Sequence, residues 1–479
     1  MRYFVAVLSF AAAAAVIRPG LADQREVTNY IDSLKYDVRS LLAVKDSGST
    51  ESLPGRDASG NSVIICTNTP RKLSKDLAEV TILSPTAGTI FPGAIIRANQ
   101  SLANGQPAAI GVPRSPVTLH VDLPGLGEKG TIVVDNPSNA SVDPKIQEVL
   151  EYWNTKPVAA GYVNVARSKY ERQKAYSSQQ LALDLGFSAK WSDNKVSSSL
   201  DVKTNNKTSL TVALFKQVFY TVAMDTPAEP GAVFAKDVSL DQVKRQTDSN
   251  SPPAYVASVD YGRIIMVRME TSSAETEANL EGAMDYVTSG GQTLHADLKS
   301  KYEGVAKKST FTVLTLGGNA EVAAETVVDY KTVPQVIQKN AKYSRSNPGY
   351  PIAYRTAFLK DNEPAKYAFT TDYVETNCTE YPNGFVKVRH EGGYVARWMV
   401  TWMANNLPGV WASGNVTAPY QKTINLPGDA KQVRIYAEAM TGLVWDPWRE
   451  AISKTETGPT NKCYKIYGTT LSPSWNNNC

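Results

Sequence analysis

The side chains able to do acid–base, nucleophilic or metal chemistry are few and poorly spaced for it. There are three histidines, His120, His295 and His390, none in an HExxH array, and no GxSxG elbow, so zinc and serine hydrolysis lack their parts. Gly125-Leu126-Gly127-Glu128-Lys129-Gly130 matches GxGxxG, but the run behind it, Thr131-Ile132-Val133-Val134, is strand-like where a dinucleotide site needs a helix N-terminus. It reads as a hairpin turn. The four cysteines, Cys66, Cys378, Cys463 and Cys479, include no CxxC pair, and an even set without ligand spacing favours disulfides over zinc in an oxidising compartment. These patterns predict a protein that is not an enzyme and holds no metal or cofactor.

The chemistry that remains is interfacial. Tyr 24 and Trp 8 outweigh Phe 11, a bias towards rings with a polar handle, which suit wet interfaces. Lys+Arg 50 against Asp+Glu 46 leaves a formal +4, too small and dispersed for a nucleic-acid surface. Arg2, the apolar run Tyr3 to Ile17 and the small-residue site Gly20-Leu21-Ala22 predict a signal peptide over 1–22 and a secreted chain. No later window is apolar for the ~18 residues that a membrane helix needs.

The 479 residues, 42% hydrophobic and 20% charged, suit two to four domains at about 100 to 200 residues each. Val27 to Val44 reads as helix. Beyond it, Val117 to Val121, Phe215 to Val222, Arg263 to Arg268, Phe311 to Leu316 and Val433 to Tyr436 read as strands, with turns at Ser251-Pro252-Pro253 and Asn347-Pro348-Gly349. The last stretch, rich in Trp and Tyr with evenly spaced turns, suits a separate antiparallel β-sandwich.

Two segments alternate. Leu181, Leu183, Leu185, Phe187, Ala189 and Trp191 are apolar at odd positions, and Val196, Leu200 and Val202 resume after a turn. Leu280, Gly282, Met284 and Tyr286 turn at Ser289-Gly290-Gly291 and return through Leu294, Ala296, Leu298 and Tyr302. Half-buried strands of a soluble sheet, or helices, are the commoner readings of such runs. Amphipathic hairpins are the other: runs of about ten residues match a membrane-spanning barrel strand. Four strands cannot close a lumen, so a pore would need a multi-subunit ring.

The run Ala439-Met440-Thr441-Gly442-Leu443-Val444-Trp445-Asp446-Pro447-Trp448-Arg449 closely resembles the Trp-rich undecapeptide of the cholesterol-dependent cytolysins, ECTGLAWEWWR. Tyr467-Gly468-Thr469-Thr470-Leu471-Ser472-Pro473 resembles the family's WGTTLYP segment. Phe91 to Ala94, Asn250 to Tyr255, Tyr261 to Arg263, Phe358 to Asn362 and His390 to Ala396 are similar to other family stretches, so the likeness spans roughly 60 to 479.

The resemblance implies an α+β, mostly β, elongated multidomain fold: a perforin-like twisted sheet flanked by helical bundles, and a C-terminal antiparallel β-sandwich. The implied domains are 23–66 with 366–385 (N-terminal segment and linking domain), 67–167 with 217–266 and 340–365 (upper domain), 168–216 with 267–339 (perforin-like sheet), and 386–479 (membrane-binding sandwich). It implies a secreted toxin that binds membrane cholesterol, assembles into a homo-oligomeric ring and inserts a barrel made from the bundles near 177–207 and 278–308. The alternative from another class is a non-lytic sterol- or glycan-binding adhesion module.

Site residues follow the same resemblance. Thr470 and Leu471 are to recognise sterol, one by its hydroxyl and the other by apolar packing. Leu443, Trp445, Pro447, Trp448, Gly393 and Ala418 form the membrane tip, and Arg449 couples binding to assembly. Tyr170 and Phe311 stack between subunits, Gly317-Gly318 let an edge strand move, and Arg172 with Asp329 is a charge pair exchanged relative to the family's glutamate and lysine. A Cys463–Cys479 bridge would close the loop carrying Thr470, and Cys66 and Cys378 lie in segments that the family fold brings together.

The undecapeptide also departs from the family. Its cysteine is Met440 here, its glutamate Ala439 and its middle tryptophan Pro447. A similar proline occurs in relatives that use a protein receptor, so a protein or glycan receptor stays open, although the segment from Trp402 to Tyr420 is shorter than is usual.

Overall fold

A computed structural model describes residues 19–46, 55–58, 60–82, 88–187, 208–272, 275–291, 296–317, 320–327 and 329–479. Most of the predicted signal segment, the stretch 188–207 of the first alternating segment, His295 and Gly318 lie outside the described residues.

Helix α1 (Pro19–Ser33) buries Val27 and Ile31, one turn apart, against Phe234 and Leu359. It bears out the first part of the helix that the sequence predicts over Val27 to Val44, which is not continuous. After Ser33 the chain leaves the helix, Asp37 caps one further turn (Val38–Leu41), and Ala43–Asp46 pairs in parallel with Ala368–Thr371. A strand partner more than 300 residues away overrides a weak local propensity.

The long strand β1 (Ser62–Leu77) precedes the hairpin β2 (Val117–Val121) and β3 (Thr131–Val134). A single 3-10 turn over Gly127–Gly130 joins β2 to β3, so the GxGxxG run is a hairpin connection with no helix behind it. Helix α2 (Asn139–Thr155) is N-capped by Ser138, which exchanges bonds with Ser141, and buries Val142, Ile146, Val149, Leu150 and Trp153 along one stripe.

The large sheet comprises β4 (Arg167–Ala175), β5 (Thr208–Met224), β6 (Pro253–Ser272), β7 (Thr310–Gly317), β8 (Ala320–Val327) and β9 (Tyr350–Phe358), with β2 and β3 extending it beside the end of β5. Its order is β8, β7, β6, β5, with β4 on the far side of β5 and β9 beside the first half of β6. One lateral edge is β4, and β8 covers the other along β7. At Gly262 the register of β6 slips against β5, and a Cβ there would lie 2.0 Å from the Gln217 carbonyl oxygen. Only glycine keeps the two strands paired through that bend.

Both faces of the sheet are covered. Leu210, Val212, Leu214, Ile264, Met266 and Leu314 pack under α3 (Ser178–Asp184), whereas Phe215, Ile265, Val267, Met269, Phe311 and Val313 pack under α4 (Glu277–Thr288), α5 (Ala296–Lys307) and α6 (Val333–Gln338). The strand reading of 278–302 is therefore not the state seen here. Leu280, Ala283, Met284 and Val287 recur at i, i+3, i+4 and i+7, and that helical stripe is the one the sheet buries. Leu181 lies likewise on a helix, α3. No helix among the described residues is long and apolar enough to cross a membrane, which says nothing of strands.

Strand β10 (Tyr367–Pro382) pairs with β1 over sixteen positions, and the Cys66–Cys378 disulfide joins two directly opposed residues. The chain then enters the sandwich: β11 (Gly384–His390), β12 (Val395–Ala404), β13 (Leu407–Thr417), β14 (Tyr420–Leu426), β15 (Lys431–Met440), β16 (Trp448–Glu456), β17 (Lys462–Thr469) and β18 (Ser472–Asn476). Its two four-stranded sheets, β14-β11-β17-β18 and β13-β12-β15-β16, enclose Val386, Val388, Trp398, Val400, Ile435 and Tyr464. Asn405 and Asn406, both at positive φ, form the tight β12–β13 turn that makes the Trp402 to Tyr420 segment compact. Arg56 grips Asp429 with two bonds of 2.8 and 3.0 Å and ties this sandwich to the segment before β1.

Candidate functional site

Four connections share one end of the sandwich: β11 to β12, β13 to β14, β15 to β16 and β17 to β18. The first is organised by His390, which is fully buried. Its Nε2 lies 2.8 Å from the Tyr394 carbonyl oxygen and Gly392 N–H donates to its Nδ1 at 3.3 Å. One ring nitrogen donates and the other accepts, which is the neutral imidazole, and burial holds the pKa below the ordinary histidine value. The loop is then tied to β17 by Gly393 N–H to Gly468 O at 3.0 Å and by the Tyr394 hydroxyl to Tyr467 O at 3.2 Å. Burial pushes that tyrosine's pKa up to about 12. The role of His390 is missing from the sequence reading, because its partners are mostly backbone groups.

The undecapeptide forms the turn from β15 into β16. Thr441 closes it: its hydroxyl bonds to the Asp446 carbonyl and accepts from Leu443 N–H at 3.0 Å, and its own N–H donates to Pro447 O at 3.1 Å. The closed turn projects Val444, 92% exposed, and Trp445, 82% exposed. Pro447 is exposed too, while Leu443 is half-buried. Trp448 behaves differently from Trp445, for the Arg397 guanidinium lies 4.2 Å from its ring centroid and holds it against the sheet. Arg397 in turn meets Glu438 at 2.5 Å. Burial opposes the charge on Glu438, but the Tyr436 hydroxyl and Arg397 outweigh it and hold the carboxyl below its usual range.

Leu471, 58% exposed, and half-buried Thr470 form the β17–β18 tip. The Arg449 guanidinium spans the two loops, donating to the Leu471 carbonyl at 2.8 Å and to Asp446 Oδ2 at 2.7 Å. Gly393 and Ala418 are exposed at the two neighbouring connections. The structure thus gathers Thr470, Leu471, Trp445, Pro447, Gly393, Ala418 and Arg449 at one end, and the Cys463–Cys479 disulfide fastens the chain end to the hairpin that carries Thr470. No group of three or more metal-ligating side chains is gathered among the described residues.

A second constellation lies on the edge strand β4. Glu277, Glu281 and Asp285 stand four apart on α4 and face it. The Tyr170 hydroxyl donates to Asp285 at 2.7 Å, Arg172 reaches Glu281 and Asp285 at 3.4 and 3.3 Å, and the Tyr176 hydroxyl donates to Glu277 at 3.3 Å. Burial, then Asp285, raises the Tyr170 pKa above its ordinary value. Its ring packs on Phe215 at 4.8 Å. Phe311 is buried under α4, and Asp329 caps the turn before α6 by accepting from Lys331 N–H. Within one chain neither Tyr170 with Phe311 nor Arg172 with Asp329 is brought together, since β5 and β6 stand between β4 and β7. Gly317, at φ +81°, ends β7 in a conformation suited to glycine.

Residues 26–381 match the family model described as thiol-activated cytolysin, and 385–474 match that of the thiol-activated cytolysin beta sandwich domain. The chain belongs to the thiol-activated cytolysins. It is 32% identical to perfringolysin O of Clostridium perfringens over 468 residues, covering 94% of this chain and 92% of that protein. Among solved structures it is similar to wild-type pneumolysin, with a TM-score of 0.82 at 27% identity over 96% of this chain and 99% of that one. A disulfide-locked mutant of intermedilysin with human CD59 matches at a TM-score of 0.70 and 29% identity, over 96% and 99% of the two chains. This cytolysin is a pore-forming toxin, and the non-lytic adhesion reading is not favoured.

Although the family is described as thiol-activated, this chain has no free thiol: all four cysteines are in disulfides and the undecapeptide carries Met440. Iodoacetamide should leave its lytic activity on red cells unchanged, and no reducing agent should be needed. Reduction should instead lower activity, because the bridge closing the 16-residue span to Cys479 is worth about 3 kcal/mol to the folded hairpin. Activation by dithiothreitol would contradict this.

Proposed function

We propose that this secreted cytolysin docks on cholesterol in the target-cell membrane through the sandwich tip, assembles side by side through β4, and then converts the segments near 177–207 and 278–308 into barrel hairpins. The observation that carries the docking step is the Arg449 bridge, which places the exposed Trp445 turn and the Thr470-Leu471 tip on one small surface. A sterol offers one hydroxyl and a large apolar body, and Thr470 with Leu471 presents the matching pair. Trp445 tolerates the headgroup layer and adds apolar burial at about 25 cal/mol per Å². Liposome flotation tests this: the protein should float with cholesterol-containing vesicles and not with vesicles holding the 3α-hydroxy epimer at the same fraction. Equal binding to both would show that the hydroxyl is not read.

The domain roles follow as part of the same reading. The sandwich from 386 binds, the sheet of 168–216 with 267–339 inserts, and 67–167, 217–266 and 340–365 form the upper scaffold, with 23–66 and 366–385 linking them. A protein receptor in addition to cholesterol is supported by Pro447 and by the intermedilysin likeness.

Assembly pairs Arg172 of one subunit with Asp329 of the next, and Tyr170 with Phe311, while Gly317-Gly318 lets β8 leave β7. Arg172 must first give up Glu281 and Asp285, so the α4 carboxylates keep the pairing edge occupied until α4 moves. Arg172→Glu should permit binding and block pore formation, and adding Asp329→Arg should restore it, each cross-strand pair being worth about 0.2 to 1 kcal/mol. Because Arg172→Glu also repels α4, rescue by Asp329→Arg is the deciding readout. A double variant no better than the single one would refute the pairing.

A further inference from the structure

Both lateral edges of the large sheet carry exposed apolar side chains. On the β4 side, Tyr162, Val163 and Val165 lie in the run that leads into β4 and are 48%, 60% and 60% exposed. With Val158 they line an open cleft of about 850 Å³ that residues 338–347 also line, and the two runs are joined by the pairing of Val165 with Lys342. On the opposite side, Tyr350 begins β9 and is 53% exposed. It stands beside the end of β7, close enough that a Cβ on Gly317 would lie 3.2 Å from its own.

The two patches share a level in the sheet. Arg167 is opposite Val218, Val218 opposite Gly262, and Gly262 opposite Tyr350. One cross-strand row therefore runs from the start of β4 to Tyr350, and Val165 sits two residues above it, about 6.6 Å along the strand. A neighbour that adds its β4 to the β7 edge prolongs this row, and its cleft then arrives at Tyr350. A knob on one edge and a cleft on the other is a heterologous contact, the kind that closes rings. A tyrosine ring buries about 150 to 250 Å², and the cleft has the room.

We propose that Tyr350 of one subunit seats in the open cleft lined by Val158, Tyr162, Val163 and the 338–347 segment of the next, beside the intact Val165–Lys342 pairing, so that a second copy of this chain covers both exposed patches. This contact rests on the proposed ring assembly and lies above the strand pairing, in the part of the sheet that the inserting segments do not include.

Paired cysteines test it, since the native ones are all in disulfides. Tyr350→Cys with Val165→Cys places the two thiols at opposite edges of one chain, three strand spacings across and two residues along, about 16 Å apart, too far to bridge within it. On cholesterol-containing liposomes, oxidation should give a ladder of covalent oligomers on non-reducing gels, absent in solution. Tyr350→Ala should slow assembly about tenfold with liposome binding unchanged, a loss near the value of one buried ring, and Tyr350→Phe should keep the normal rate. Both changes are at an exposed residue, so folding is not at stake. Rings seen by electron microscopy without cross-links, or a Tyr350→Ala protein that assembles normally, would overturn this contact and leave ring assembly standing. No rings at all, in the unmodified protein, would overturn both.

Discussion

Replacing Thr470 and Leu471 together by glycine should remove binding to cholesterol-containing liposomes. Leu471 is exposed and free to bury in a sterol or lipid, a gain of about 1.5 to 3 kcal/mol. The Thr470 hydroxyl adds about 0.5 to 1.5 kcal/mol as a net hydrogen bond. Their sum, about 2 to 4.5 kcal/mol, weakens binding about 30- to 2,000-fold. The hairpin itself should survive, because the ladder from Thr469–Ser472 to Lys465–Asn476 and the Cys463–Cys479 bridge do not involve either side chain. Normal flotation and lysis by the double-glycine protein would move recognition elsewhere and make a protein or glycan receptor the leading reading.

Arg449→Ala should separate binding from pore formation. The guanidinium is the link between the Trp445 turn and the Leu471 carbonyl, and its charge suits it to bridging the loops rather than to burial in lipid. Without it the side-chain tie between the two loops is lost. Flotation should fall only modestly while content release drops by about 5- to 150-fold, the range of a coupling of 1 to 3 kcal/mol. Lysine should not rescue it, since a single ammonium lacks the fork that reaches both partners. A parallel loss of binding and release would make Arg449 a plain binding residue.

What the sequence shows and what it conceals divide along the range of the interactions. Most of the tip is legible because its residues lie in two short runs, Ala439 to Arg449 and Tyr467 to Pro473, which the sandwich brings together with Gly393 and Ala418 from two other connections. The sandwich strands and the GxGxxG hairpin are legible because period and turn residues are local signals. The stripe Glu277, Glu281 and Asp285 is visible as spacing, but its partners on β4 are more than 100 residues away, so its purpose is not. Arg397 is a single charge in a strand until Trp448 lies beneath it. The stretch 278–302 carries both a period of two and a helical stripe, and tertiary packing decides between them; this structure satisfies the helical one. Val27 to Val44 is helical only over Val27–Ser33 and Val38–Leu41, and β10 captures its end, Ala43–Asp46, as a strand.

The most direct measurement is release of an encapsulated dye from liposomes with and without cholesterol, with the particles imaged afterwards. Release confined to cholesterol-containing vesicles, with rings on their surface, is the predicted result. Binding to those vesicles with the dye retained would contradict pore formation, and equal release from cholesterol-free vesicles would contradict sterol recognition at Thr470 and Leu471.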